Sequence, residues 1–446
     1  LHGKHLRFTI NNCLSETVLN ALARSTKFTK RSGKIPAHGF LNALLASEND
    51  QAHTSLPDLA TGLRQAHNIE VSKEALHQKF TPEAVDFLEN VLSNLLSHQL
   101  EDNVVAGVAV QFPCIKVKDS TKFSLPSNYN GAYEGYGNFS KKNGLLSLQY
   151  EYDLVSSNWL SIKMTSGLRN DQRDAAETVG DITTGGLHIR DLGYITPTYL
   201  KAVIEKQAFF LNRLPAMAGV FTQPKQPLDW KKIDQKIKKM HGNCLELDVM
   251  IYEKDMIPCR LILERVSSEE YQRRLQKADT IAKSKGVGIS ELHKIKLQYN
   301  LFITNVKAAS LPTADVRKTY YLRWQIELVF KTWKSYYRIN LVKKVKKERL
   351  ECQLLARLLW ILINWGLFST LNRQVRTANA ASGVRMICFF KRSVQFAASL
   401  KLVLLQRMAI NRWLQYTYLP TIADCVCESP HKKQTHYQTL NFNHLP

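Results

Sequence analysis

Two short stretches of this 446-residue chain carry the same pattern, and together they restrict the folds open to it. In residues 113–119, alternation along a strand sets Ile115, Val117 and Asp119 on one side, with Cys114, Lys116 and Lys118 on the other. In residues 187–191, after Gly185-Gly186, Leu187, Ile189 and Asp191 share one side and His188 and Arg190 the other, before Gly193 turns the chain. Each time, an aspartate extends an apolar row. An inward-facing carboxylate at a strand end is unfavourable unless a cation or hydrogen bonds satisfy it, so Asp119 and Asp191 are candidate metal ligands. An Asx turn at Asp119-Ser120-Thr121 is the competing reading of the first.

The segments around them read as alternating strand and helix. Runs 145–152 and 160–165, joined by the turn-prone 153–158, predict a hairpin. Asn170 or Asp171 caps a helix through residue 179, whose Asp171, Asp174 and Glu177 read as a solvated, dipole-favoured first turn. A helix over 197–204 and a strand over 208–214 complete a βαβ unit.

Residues 320–334, YYLRWQIELVFKTWK, sort at helical spacing into two faces of one amphipathic helix. Tyr320, Arg323, Glu327, Lys331 and Lys334 share one quadrant, and Leu322, Ile326, Val329, Phe330 and Trp333 fill another. A charged stripe is commonly just a solvated face. Here, however, eleven Lys/Arg between Arg317 and Arg349 face only Glu327 and Glu348. A lone acid in so basic a strip suits a metal ligand beside a polyanion.

The spacing of Tyr320, Arg323, Glu327 and Lys334 resembles the signature of DDE transposases of the insertion sequence four family, and Asp191-Leu-Gly-Tyr resembles that family's second-aspartate motif, with Leu192 where a basic residue often stands. The resemblance implies a catalytic and metal-binding triad of Asp119, Asp191 and Glu327. It also implies that Tyr320, Arg323, Lys331 and Lys334 hold transposon-end DNA. It further implies two Mg²⁺ ions, with Mn²⁺ able to substitute, and cut-and-paste transposition in which two protomers pair two element ends. Three carboxylates suit hard divalent ions, which prefer oxygen ligands and keep positions open for water and phosphate.

The fold class expected is α/β: a ribonuclease-H-like catalytic core interrupted by a largely β insertion, flanked by N-terminal and C-terminal helical domains. The expected divisions are 1–100, a helical DNA-binding domain; 101–214 and 306–350, the two parts of the core; 215–305, the insertion; and 351–446, a helical region. Within the first, 56–80 reads as a helix-turn-helix offering Lys73, His77, Gln78 and Lys79 to a groove, or as a plain helical bundle. In the insertion the family stacks an aromatic on a flipped base; Tyr299 and Trp230 are the nearest candidates, and either could be core. The basic run 343–347 either clamps a DNA backbone or is solvated.

Composition agrees. A formal net charge of +23 predicts a polyanionic partner, and DNA, as element ends and target, leads. Eight scattered cysteines and no evident signal peptide suit a reducing bacterial cytoplasm, with the protein nucleoid-associated. The longest apolar run, 354–368, is shorter than a bilayer crossing and contains Arg357 and Asn364, so it reads as a buried helix, with no membrane partner. Cys425, Cys427, His431 and His436 lack the usual zinc-site spacing. No Walker-type motif is found, which argues against an ATP-driven enzyme. The rival readings are a non-catalytic DNA-binding transposase relic and a metal-dependent nuclease without strand transfer.

Overall fold

The computed structural model describes residues 2–31, 33–45, 54–99, 112–136, 143–215, 218–224, 226–240, 243–378 and 383–427. Six helices come first: α1 (His2–Phe8), α2 (Glu16–Ser25), α3 (Ala37–Leu45), α4 (Leu56–His67), α5 (Lys73–Gln78) and α6 (Pro82–Ser97). Their starts are written in the sequence. Ser15, Ser55, Ser72 and Thr81 each accept a first-turn N–H, and Ser55 forms a reciprocal box with Asp58. Of the four residues expected to face a groove, Lys73, His77 and Gln78 are exposed. Lys79 turns inward, its ammonium 4.8 Å from the Phe28 ring centroid.

The core follows as β1 (Ile115–Leu125), β2 (Gly144–Asp153), β3 (Trp159–Ser166), α7 (Asp171–Glu177), β4 (Leu187–Arg190), α8 (Pro197–Glu205) and β5 (Phe209–Arg213). The first three strands form an antiparallel meander, whereas β4 pairs parallel with both β1 and β5. This is the expected ribonuclease-H-like arrangement. One detail differs: β1 continues six residues beyond Asp119, because β2 pairs with it as far as Leu125 opposite Gly144. Asp119 is therefore mid-strand, and no turn forms there.

The insertion comprises β6 (Val220–Gln223), β7 (Gln226–Pro227), α9 (Trp230–Lys239), β8 (Cys244–Ile251), β9 (Ile257–Arg265), α10 (Ser268–Ser284), α11 (Glu291–Leu297) and β10 (Tyr299–Thr304). These ten strands form one sheet, in the order β3-β2-β1-β4-β5-β10-β9-β8-β6-β7. Because β10 pairs antiparallel with β5, the insertion prolongs the core sheet instead of hanging from it.

Next come α12 (Thr313–Tyr321), α13 (Trp324–Ser335) and α14 (Lys347–Ala378). The single helix expected over 320–334 is thus two, broken at Leu322 and Arg323. Each piece serves a different surface. Tyr320 packs on Phe302 of β10, ring centroids 5.3 Å apart, while Phe330 and Trp333 reach Tyr150 of β2. The predicted apolar face, Leu322, Ile326, Val329, Phe330 and Trp333, is buried throughout.

The 32-residue α14 is the one helix among the described residues long and apolar enough to cross a membrane, yet 89% of its most apolar window is buried inside the protein. It packs against α1, α3 and α6 and forms the spine of the helical half. Near the C-terminal end of the described chain, the Cys425 sulfur lies 3.1 Å from that of Cys388. His431 and His436 lie outside the described residues.

An aromatic box joins α13, the sheet and α14. The Trp333 ring lies 4.9 Å from Tyr150 and 5.1 Å from Trp159, and Trp159 in turn lies 5.9 Å from Trp365. Trp333 is fully buried at the centre. Trp333→Ala is therefore expected to lower stability by about 4 kcal/mol in urea denaturation; a loss below about 1 kcal/mol would show that the box does not hold α13.

Candidate active site

The register of β1 against β4 sets Val117 beside Ile189 and Lys118 beside Arg190. One residue further along each chain stand Asp119 and Asp191, and strand alternation sends both to the face covered by α13. From that helix, Arg323 and Glu327, one turn apart, reach back toward the sheet. All three predicted acids gather around the Arg323 guanidinium. Its Nη1 donates to Asp119 Oδ2 at 3.1 Å and its Nη2 to Glu327 Oε1 at 2.6 Å, with Nε 3.9 Å from Asp191 Oδ1.

The acids differ in exposure. The Asp119 side chain is 17% exposed, Glu327 35% and Asp191 47%, so the cluster opens outward past Asp191. Burial pushes the Asp119 carboxyl up to about 7; the Asp191 and Asp171 charges add to the rise, while the Ser120 N–H and Arg323 oppose it. A half-buried carboxylate beside two others needs a cation. Among the described residues, no three His, Cys, Asp or Glu side chains are grouped as they stand to grip a metal ion, and the Arg323 guanidinium bonds to two of these acids. Chemically the donor set fits a hard divalent ion: three carboxylates converging on one cationic position.

The opposite side of the same strands was not read correctly from sequence. Lys118 and Arg190, each directly before an aspartate, are fully buried with Glu151 and Asp174. Lys118 Nζ lies 2.5 Å from Asp174 Oδ2, Arg190 Nη2 lies 3.1 Å from Glu151 Oε1, and the Thr178 hydroxyl accepts from both cations. The Arg190 guanidinium also lies 4.1 Å from the Tyr199 ring centroid. Asp174 is therefore not the solvated first-turn residue expected. Its helix lies across the sheet, and the 3.6-residue repeat turns it inward onto Lys118. Burial alone would push the Glu151 carboxyl up; Arg190 and Lys118 more than reverse this and hold it below the usual range. The available signal was the cation preceding each aspartate on the face an apolar core would otherwise occupy.

Asp171 was also expected to be solvated, yet its Oδ1 accepts from Ser120 Oγ and Gln149 Nε2, both at 3.2 Å. A Cβ at position 193 would come within 2.8 Å of Asp171 Oδ2, so glycine there lets the turn after Asp191 close onto α7. Both aspartate-bearing segments thus rest against one carboxylate.

The other candidates scatter. Tyr320 is buried, and that burial pushes its hydroxyl up to about 12. Lys331 is exposed, and Lys334 Nζ donates to the Lys122 carbonyl at 3.4 Å. Trp230 and Tyr299 are both core residues, with the Tyr299 hydroxyl donating to Asp234 at 2.6 Å. The basic run is partly structural: Lys346 donates to the Phe80 carbonyl, Lys347 pairs with Glu351, and the Tyr129 hydroxyl donates to the Lys343 and Val345 carbonyls.

The family model described as Transposase DDE domain matches residues 111–363, more than half the chain and the span that holds all three acids. The chain belongs to the DDE transposase family. It is a DNA transposase of the insertion sequence four type, as the signature implied. The chain is 29% identical over 362 residues to the transposase for insertion sequence element IS231F of Bacillus thuringiensis subsp. israelensis, covering 77% of this chain and 76% of that protein. It is 27% identical over 378 residues to the transposase for IS1151 of Clostridium perfringens, covering 81% and 80%. In backbone it is similar to piggyBac transposase in a synaptic complex with hairpin DNA, at a TM-score of 0.46 and 9% identity, over 96% of this chain and 87% of that one.

Two outcomes follow for the transposase. Glu151→Gln leaves Arg190 without its buried counter-charge and is expected to cost about 4 kcal/mol of stability, read by chemical denaturation. In the metal-free protein the Asp119 pKa is raised from 3.8 to about 7, so the stability this group contributes is complete below pH 3.8 and is lost as pH rises through 7. Asp119→Asn, which mimics the protonated acid, is expected to melt above wild type at pH 8 and to lose that advantage toward pH 4. An equal difference at both pH values would contradict the assignment.

Proposed function

We propose that Asp119, Asp191 and Glu327 are the catalytic carboxylates of this transposase and hold two Mg²⁺ ions during cutting and rejoining of element ends. Bound there, the ions supply Lewis-acid polarisation of the scissile phosphate, ease deprotonation of the attacking hydroxyl and offset charge on the leaving oxygen. Strand β1, the residue directly after β4 and helix α13 supply the acids, so the site depends on sheet register and on α13 packing. Glu327 approaches from the helix while Asp119 and Asp191 approach from the sheet. The reacting phosphate would enter on the open side, past Asp191.

Arg323, Lys331, Lys334 and Tyr320 are the residues we assign to end DNA. Lys331 is exposed on the same helix as Glu327, and Lys334 lies one turn further along. Burial holds the Lys334 ammonium below the ordinary lysine range, a situation that a neighbouring phosphate would relieve. Arg323 has the planar fork that matches phosphate oxygens in pairs. We assign end recognition also to the N-terminal helices over 1–100, and the core to 101–214 and 306–350, with 215–305 inserted and 351–446 helical. The working unit is a homodimer pairing two ends, acting on DNA in the bacterial cytoplasm.

The observation that carries this reading is the convergence of three sequence-distant acids on one cation within the matched domain. A supercoiled plasmid bearing the element's ends, incubated with the protein and Mg²⁺, tests it. Glu327→Gln is expected to abolish cleavage and leave end binding within about twofold, whereas Arg323→Ala weakens end binding by roughly tenfold. Loss of binding in Glu327→Gln would make the glutamate structural. Cleavage without end-joining in the wild type would mark a nuclease, and no cleavage a DNA-binding relic.

A further inference from the structure

We infer that Arg323 is a positioning residue that stands in for the divalent ions, pairing with Asp119 and Glu327 beside Asp191 until end DNA draws it away, so that metal and DNA bind cooperatively. This inference rests on the active-site reading above and adds a coupling to it. The guanidinium engages carboxylate oxygens at 2.6 and 3.1 Å, using lone pairs that an ion would need at about 2.1 Å. Both cations cannot occupy that space. The arrangement is also incomplete for the arginine. Its Nε is buried without a hydrogen-bond partner, facing Asp191 across 3.9 Å, so it grips two acids and falls short of the third.

Charge balance gives the direction of exchange. Three carboxylates around one guanidinium leave a surplus of negative charge that a single cation does not neutralise. Two dications reverse that sign and repel Arg323, for which a DNA phosphate is the nearest compensating partner. The helix break at Leu322 and Arg323 places the side chain at the N-cap of α13, where it can swing outward without unwinding the helix. DNA that accepts Arg323 thereby frees carboxylate oxygens for metal, and by linkage metal must tighten DNA by the same factor. In the absence of an end, the arginine keeps the acids assembled and the ions out.

The test is Mn²⁺ binding, followed through loss of the free-ion electron paramagnetic resonance signal, which needs no turnover. Wild type, Arg323→Ala, Arg323→Lys and Glu327→Gln are compared with and without saturating duplex carrying the terminal base pairs of the element that encodes the chain. Without DNA, Arg323→Ala is expected to bind Mn²⁺ on the order of tenfold more tightly than wild type, with Arg323→Lys between them. With DNA the gap closes. Equal or weaker Mn²⁺ binding by both Arg323 variants without DNA overturns the inference; Arg323→Lys alone decides it if Arg323→Ala does not fold. Failure of the underlying reading looks different: Mn²⁺ binding that Glu327→Gln leaves unchanged would mean the acids are not the metal site at all.

Discussion

The parallel pairing of β1 with β4 is the constraint on which the rest depends. Side chains alternate along a strand, so a slip of one residue would send Asp119 to the opposite side from Asp191 and Lys118 to the opposite side from Arg190. The two sides penalise that slip in different ways. On one, Ile115, Val117, Leu187 and Ile189 are buried in an apolar core. On the other, Lys118, Arg190, Glu151 and Asp174 neutralise one another away from water. A buried ion network is a weak source of net stability, but a slipped register would strand its charges, which is strongly unfavourable. The network therefore specifies which pairing is adopted more than it strengthens that pairing.

Electrostatics then works at two scales in the same few ångströms. The chain carries a large positive excess suited to a polyanion, while its proposed reaction centre is a concentration of acids. Arg323 belongs to both. It is one of the cations of the basic strip and also the group around which the acids gather. The continuous ten-stranded sheet makes this arrangement stiff. Strand β5 pairs with β4 on one side and β10 on the other, so the insertion and the acid-bearing strands cannot shift independently. Tyr320, packed on Phe302 of β10, ties the start of the signature region to that same strand.

Much of this was legible in the residues. Strand alternation set Asp119 and Asp191 at the ends of apolar rows, and helical spacing set Glu327 on the face away from the buried one, since each depends on neighbours in the chain. What escaped was long-range. Asp174 looked like a helix-start residue in water until Lys118, in another element, came to meet it. Tyr299 and Trp230 could be read from sequence either as base-stacking or as core residues, and burial decides for the core. The break between α12 and α13 escaped for the same reason: each half follows a different surface, and neither surface is local.

By itself, then, the amino-acid order determined most element types, the three candidate acids and the family signature, because periodicity and spacing are properties of neighbours. Only the folded chain decided that Arg323 would hold those acids together and that a buried charge network would lie behind them. Ion pairing acts over a few ångströms of space, and residues separated by scores of positions come within that range only after the sheet has formed and α13 has packed upon it.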